Sequence, residues 1–164
     1  MATDCRIGHG FDVHRFRRGR KLVLGGVQIP FAMGLAGHSD ADVLLHALMN
    51  AILGAVAEGD IGVHFPDTDN RYKDISSVQL LSEVLRIADR KGFSIINADT
   101  TVLAQKPRLA SFFPKIREQV AQLLAVPESR INVKAVTTEG LGWIGEGHGM
   151  AAMAVVLLQK KKRK

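Results

Sequence analysis

Residues 39–57 read SDADVLLHALMNAILGAVA, and this stretch decides the architecture. The spacing predicts a helix from Ser39 to about Ala57. Ser39 with Asp42 three residues on resembles a capping box with Asp in the Glu place, and Gly59 stops the helix. From Val43 to Ala57 the only polar side chains are His46 and Asn50. A helix apolar on nearly every face is a buried helix. It carries more apolar surface than a single-layer domain of this size needs to bury, so a partner subunit is expected to cover the rest. The run is too short, and too interrupted, to span a bilayer.

Strand signals lie on both sides of this helix. Arg6 to His14 reads as extended chain punctuated by Gly8 and Gly10. Lys21–Leu24 and Val27–Ile29 are short β-type runs joined by Gly25-Gly26, a hairpin signal, and Pro30 ends the second. Gly59 to Asp74 is rich in Asp, Gly and Pro and reads as a loop. A second helix is expected over 76–91, where Val78, Leu81, Val84, Leu85 and Ala88 have helical spacing. Strands follow at 93–105, 131–137 and 150–158, with a third helix at 112–125. Alternating strands and helices predict a single α+β domain, sandwich-like, with a mixed sheet, helices packed on one face and ferredoxin-like character.

At 164 residues, 46% hydrophobic and 23% charged, the chain has the composition of a globular domain with its own core. One cysteine, Cys5, rules out an internal disulfide scaffold. The net charge is +6, but five of those charges sit in Lys160 to Lys164. The body is nearly neutral, so the basic pI is a property of the tail. Residues 1–159 are expected to form the domain, and 160–164 a basic, disordered tail. The N-terminus has no apolar run of the signal-peptide kind, which predicts a cytoplasmic protein.

Asp12 and His14, two apart on an extended segment, point the same way. On the helix, Asp42, His46 and Asn50 share one face. An Asp with two His residues makes a three-ligand zinc set with a fourth position open, and Asp42 or Asn50 could orient the His46 ring. Taken alone, the same residues read more readily as a surface pair and a hydrogen-bonded core histidine. The loop acids Asp60, Asp67 and Asp69 suit hydroxyls, a divalent cation or plain turns, and His64 either extends a metal site or faces solvent. Thr137, Thr138 and Glu139 offer hydroxyls, amides and a carboxylate suited to Mg²⁺, or form an interstrand bulge.

In series, RIGHGFDVHRF, LVLGGVQIP, GHSDADVLLHAL, GDIGVHFPDTD, AQKPRL, NVKAVTTEGLG and GMAAMAVVLL resemble the 2-C-methyl-D-erythritol 2,4-cyclodiphosphate synthases of the non-mevalonate isoprenoid (terpenoid) pathway. The likeness spans about residues 6–158. It implies a lyase that converts 4-diphosphocytidyl-2-C-methyl-D-erythritol 2-phosphate to the cyclodiphosphate and CMP. Asp12, His14 and His46 match the family's zinc ligands, with Val13 between them in the substrate site. His38 and Ser39 match the pair that holds substrate phosphates, and His38 is one of two transition-state stabilisers. Asp60, Ile61 and Gly62, with Phe65, Pro66, Asp67, Thr68 and Asp69, match the region binding the methylerythritol. The cytidine pocket corresponds to Ala104, Gln105 and Lys106 together with Pro107, Arg108, Leu109 and Ala110. Val136, Thr137, Thr138 and Glu139 match the diphosphate contacts, Thr137 being the second stabiliser and Glu139 a ligand of Mg²⁺ or Mn²⁺. Trp143 completes the substrate set. The family forms homotrimers with active sites between subunits, and neither nucleic acid nor membrane is an expected partner.

Three departures stand out: Asn50 where members commonly have Asp, Val136 for a Thr, and Glu146 and His148 where a common form has Arg and Glu. The last two are expected to pair with each other. The competing readings are a zinc-dependent phosphohydrolase, which would release phosphate, and a nucleic-acid-binding module driven by the tail.

Overall fold

Strand β1 (Cys5–Arg18) is 14 residues long, and two glycines on one of its faces determine how the core closes. A Cβ at Gly8 would stand 1.8 Å from the Ala51 carbonyl oxygen, and one at Gly10 1.9 Å from that of Ala47. No side chain fits there, so helix α1 (Val43–Ala55) lies directly on the strand backbone. That contact brings His46 over Asp12 and His14.

The computed structural model describes residues 4–161. A five-stranded mixed sheet is flanked by β4 (Met33–Leu35) and β6 (Ile131–Val136), with β1, β7 (Gly149–Lys160) and β5 (Phe93–Leu103) between them in the order β4-β1-β7-β5-β6. β7 runs antiparallel to both β1 and β5, while β5 and β6 are parallel. A parallel neighbour needs a crossover, and α4 (Phe113–Leu124) supplies it, burying Ile116, Val120, Ala121 and Leu124. α3 (Ser77–Arg90) lies beside α1 and buries Leu81, Val84 and Ala88, as its spacing predicts, together with Leu80 and Ile87, while Val78 and Leu85 are only half-buried. β2 (Leu22–Leu24) and β3 (Val27–Ile29) form the expected hairpin, with Gly25 and Gly26 at φ 61° and 78°.

The structure departs from the sequence reading at several points. α1 starts at Val43, because Ala41 sits at φ 57° and Asp42 is the cap. The Ser39 hydroxyl instead accepts from the Ala41 N–H at 3.1 Å. The 59–74 loop contains a one-turn helix α2 (Ile61–His64) and a 3-10 turn at Asn70–Tyr72, capped by Asp60 and Asp69. A second one-turn helix, α5 (Gly142–Gly145), precedes β7. β4 pairs with the end of β1 and is too short to show a periodicity. Two of the tail cations are structured: Lys160 ends β7, and the Lys161 N–H donates to the Gly92 carbonyl while its ammonium reaches Asp89. Lys162 to Lys164 lie outside the described residues.

The apolar excess is in a different place from that expected. α1 is buried by its own chain, under the sheet, α3 and the β2–β3 hairpin, with only Asn50 and Gly54 less covered. The uncovered apolar surface is the opposite face of the sheet. There Ile7, Phe11 and Val13 of β1 and Met153 and Val155 of β7 are 40–74% exposed, with Phe11 paired to Met153.

Candidate active site

β1 and α1 meet at a cluster of three side chains. The Asp12 Oδ2 atom lies 2.9 Å from His14 Nε2 and 3.0 Å from His46 Nδ1, and the two ring nitrogens are 3.0 Å apart. The far nitrogen of each ring is occupied. His14 Nδ1 donates to the Ala36 carbonyl at 2.8 Å, which leaves Nε2 with a lone pair. His46 Nε2 is held by Ser77 Oγ at 3.0 Å and Ser39 Oγ at 3.2 Å. The three facing atoms, all of them able to bind a metal, are crowded together, an arrangement that a shared proton or a bound cation relieves. Donor atoms around tetrahedral zinc stand roughly 3.3 Å apart for bonds of about 2.0–2.1 Å, so this set fits a divalent metal with an adjustment of a few tenths of an ångström. Burial pushes the Asp12 carboxyl up, but the hydrogen bonds and charges of His14 and His46 outweigh it and bring it down to about 2. Burial lowers His14, and the Asp12 carboxylate and the Ala36 carbonyl more than compensate, so it ends above the usual imidazole value.

The cluster lies at the base of a cleft of about 600 Å³ that also includes His38, Ser39, Ile61, Gly62, Phe65, Pro66, Asp67, Thr68 and Tyr72. His38 Nε2 donates to the Asp69 carbonyl at 3.1 Å and ties this loop to the metal side. Asp60 and Asp69 use their carboxylates within the chain: Asp60 caps α2 through the Val63 N–H at 3.0 Å, and Asp69 holds Arg71. His64 does not extend the cluster; it is 2.8 Å from the Glu58 carbonyl oxygen. Asn50 and Asp42 do not hold the His46 ring. Asn50 bridges the Ile61 N–H at 3.0 Å and the Phe11 carbonyl at 3.4 Å, and Asp42 accepts from Gly25, Gly26 and Leu45. Ser77 and Asp40, which the sequence reading missed, supply that support. Arg20 was missed too; its guanidinium reaches the Ser39 carbonyl and steadies the 37–39 loop.

The remaining expected residues stand apart from this cleft. Val13, Ala151, Leu103 and Val136 form one row across the sheet. Three strand spacings of ~4.8 Å separate the metal cluster from Thr137, Thr138 and Glu139 by about 14 Å. Thr137 donates to Glu139 at 2.7 Å and Thr138 to the Leu141 carbonyl at 2.7 Å. The Ala104–Ala110 segment leaves β5 at the same end, with a cis bond before Pro107 and the Gln105 Oε1 atom buried without a partner. Trp143 lies on α5, partly exposed. His148 Nδ1 is 3.5 Å from Glu146, the expected pairing, at an exposed position.

Residues 5–159 match the model of the YgbB family. The chain is 59% identical over 155 residues to 2-C-methyl-D-erythritol 2,4-cyclodiphosphate synthase of Syntrophotalea carbinolica, covering 94% of each chain. Among solved structures, the bifunctional IspDF of Campylobacter jejuni superposes with a TM-score of 0.93 at 46% identity, over 97% of this chain and 43% of that one. IspF of Plasmodium falciparum, solved as a CDP complex, superposes with a TM-score of 0.85 at 33% identity, over 99% of this chain and 100% of that one. Among the described residues no helix is long and apolar enough to cross a membrane. With the family model matched over nearly its whole length, the chain belongs to the YgbB family, whose curated relatives here are 2-C-methyl-D-erythritol 2,4-cyclodiphosphate synthases.

Proposed function

We infer that the protein converts 4-diphosphocytidyl-2-C-methyl-D-erythritol 2-phosphate to 2-C-methyl-D-erythritol 2,4-cyclodiphosphate and CMP. The observation that carries this reading is the cluster of three metal-binding atoms, Asp12 Oδ2, His14 Nε2 and His46 Nδ1, at the base of a substrate-sized cleft in a chain 59% identical to such a synthase. An oxygen of the substrate's 2-phosphate attacks the β-phosphorus, the bond to the bridging oxygen of the CMP phosphate breaks, and CMP leaves with that oxygen. Water is not consumed. No side chain needs to be a nucleophile; the protein folds the substrate on itself, an effect that reaches on the order of 7–11 kcal/mol in well-oriented intramolecular reactions.

Asp12, His14 and His46 would hold a zinc ion, which supplies charge neutralisation at the β-phosphate. The Ser39 hydroxyl accepts from Ala41, so its proton is free for a phosphate oxygen. His38 stands beside it in the same cleft. Ile61, Gly62 and Phe65 to Asp69 enclose the methylerythritol. Glu139 offers a single carboxylate; as Mg²⁺ or Mn²⁺ takes substrate phosphates for its other ligands, this residue suits a second ion that arrives with the diphosphate.

A homotrimer with sites between subunits reconciles the 14 Å gap with one reaction. The triad cleft of one subunit would face Ala104–Ala110, Val136–Glu139 and Trp143 of its neighbour. The exposed apolar sheet face of Ile7, Phe11, Val13, Met153 and Val155 supports this assembly. Incubated with the cytidyl substrate, the purified protein should release CMP and no inorganic phosphate. Phosphate release in place of CMP would favour the phosphohydrolase.

A further inference from the structure

We propose that Asp40 and Ser77 form a relay that fixes the His46 tautomer and so prepares Nδ1 to hold the metal, an inference that rests on the metal-site reading above. Ser77 opens α3 and is fully buried. Its Oγ lies 2.5 Å from Asp40 Oδ1 and 3.0 Å from His46 Nε2. The proton count on these atoms leaves one arrangement. An ionised Asp40 only accepts, so the Ser77 hydroxyl proton goes to Asp40. Ser77 Oγ then has only lone pairs to offer His46, and the ring must carry its proton on Nε2. That leaves the Nδ1 lone pair facing Asp12 and His14. Ser39 Oγ, 3.2 Å from the same Nε2, already accepts from Ala41 and can share the proton without reversing it.

Asp40 reaches beyond the ring. Its Oδ2 accepts from the Ser77 N–H at 3.1 Å, so one carboxylate anchors the start of α3 and, through a hydroxyl, the metal-facing histidine of α1. The two histidines thus present opposite nitrogens for different reasons: His14 is set by a backbone carbonyl, His46 by a half-buried carboxylate thirty-seven residues from the serine that transmits it. Asp40 and Ser77 touch neither the facing atoms nor the cleft, and they are positioning residues. Partners of this kind are worth 10–100-fold in metal affinity in other proteins.

The test uses the full chain and Zn²⁺ as the probe. Zinc affinity is measured by competition with a chromophoric chelator for wild type, Ser77→Ala and Asp40→Asn. The His46 tautomer is read by ¹⁵N NMR in the metal-free protein. The relay predicts zinc binding 10–100-fold weaker in Ser77→Ala, a smaller loss in the same direction in Asp40→Asn, and a His46 ring that loses its Nε2–H preference in both. If Ser77→Ala does not fold, Asp40→Asn, which keeps the side-chain shape and removes the charge and one acceptor oxygen, decides. Folded variants that bind zinc within twofold of wild type and keep the Nε2–H form overturn the relay. A lower melting temperature alone shows that Asp40 only anchors α3, and overturns it too. A wild-type protein that binds no zinc overturns the metal reading instead, while the tautomer in metal-free protein still tests the relay.

Discussion

Replacing Asp42 by alanine should be among the costliest changes outside the apolar core. The buried carboxylate accepts from the N–H groups of Gly25 at 3.0 Å, Gly26 at 2.7 Å and Leu45 at 3.0 Å. It therefore caps α1 and stitches the β2–β3 hairpin onto the helix that carries His46. The cap contributes about 1 kcal/mol, and each N–H left without a partner costs about 1–3 kcal/mol. Against this, the substitution removes a buried charge. The expected loss is about 3 kcal/mol at pH 7. Burial drives the Asp42 carboxyl up, the three N–H donors pull it back, and it settles at about 6 in place of 3.8. An acid raised in the folded state stabilises the fold fully below its unfolded value, and that contribution fades as pH rises through the folded value. Its size is of the order of 3 kcal/mol, at 1.36 kcal/mol per pH unit. The gap between wild type and Asp42→Ala should therefore narrow from pH 4 to pH 7. Urea unfolding at fixed protein concentration, in a chelator, measures both quantities. A loss below about 1 kcal/mol at pH 7, or a gap that widens as pH rises, refutes the reasoning.

Gly10→Ala should destabilise the fold by at least about 3 kcal/mol, since the new methyl would meet the Ala47 carbonyl oxygen at 1.9 Å and push α1 off β1; thermal melting with zinc content checks it, and an unchanged melting temperature contradicts it. His46→Ala should fold, because the side chain is at the edge of the helix–sheet contact, but copurify with far less zinc; full occupancy on metal analysis counts against the triad. Sedimentation should give about 53 kDa, three times the 17.8 kDa chain, and a stable monomer at micromolar concentration would contradict the shared site. Mixed trimers of two inactive variants, His46→Ala and Thr137→Ala, should recover about a quarter of wild-type activity when assembled at random, whereas sites confined to single chains would recover none.

The metal residues were legible through the family resemblance, since an i, i+2 pair on a strand and a lone histidine on an apolar helix read by themselves more readily as a surface pair and a core histidine. What orients them was not. Asp40 and Ser77 lie on separate segments, and their meeting depends on where α3 starts against α1, a tertiary fact with no local periodicity. Asn50 and Asp42 share a helix face with His46, yet their side chains serve α2 and the hairpin, because unpaired backbone N–H groups there are the nearer donors. The apolar excess was legible as an amount and not as a place. Periodicity shows that α1 is buried, but the covering layers come from α3 and the hairpin, and the exposed face belongs to β1 and β7, where Gly8 and Gly10 occupy the inner side. The short helices α2 and α5 contain one turn each, too little for a repeat to register.

The central claim is that the substrate's own phosphate, and not water, attacks the β-phosphorus. The reaction run in ¹⁸O-labelled water, with mass spectrometry of both products, tests it most directly. The account predicts CMP and a cyclodiphosphate that contain no solvent oxygen. Incorporation of ¹⁸O into either product would show hydrolysis and contradict it.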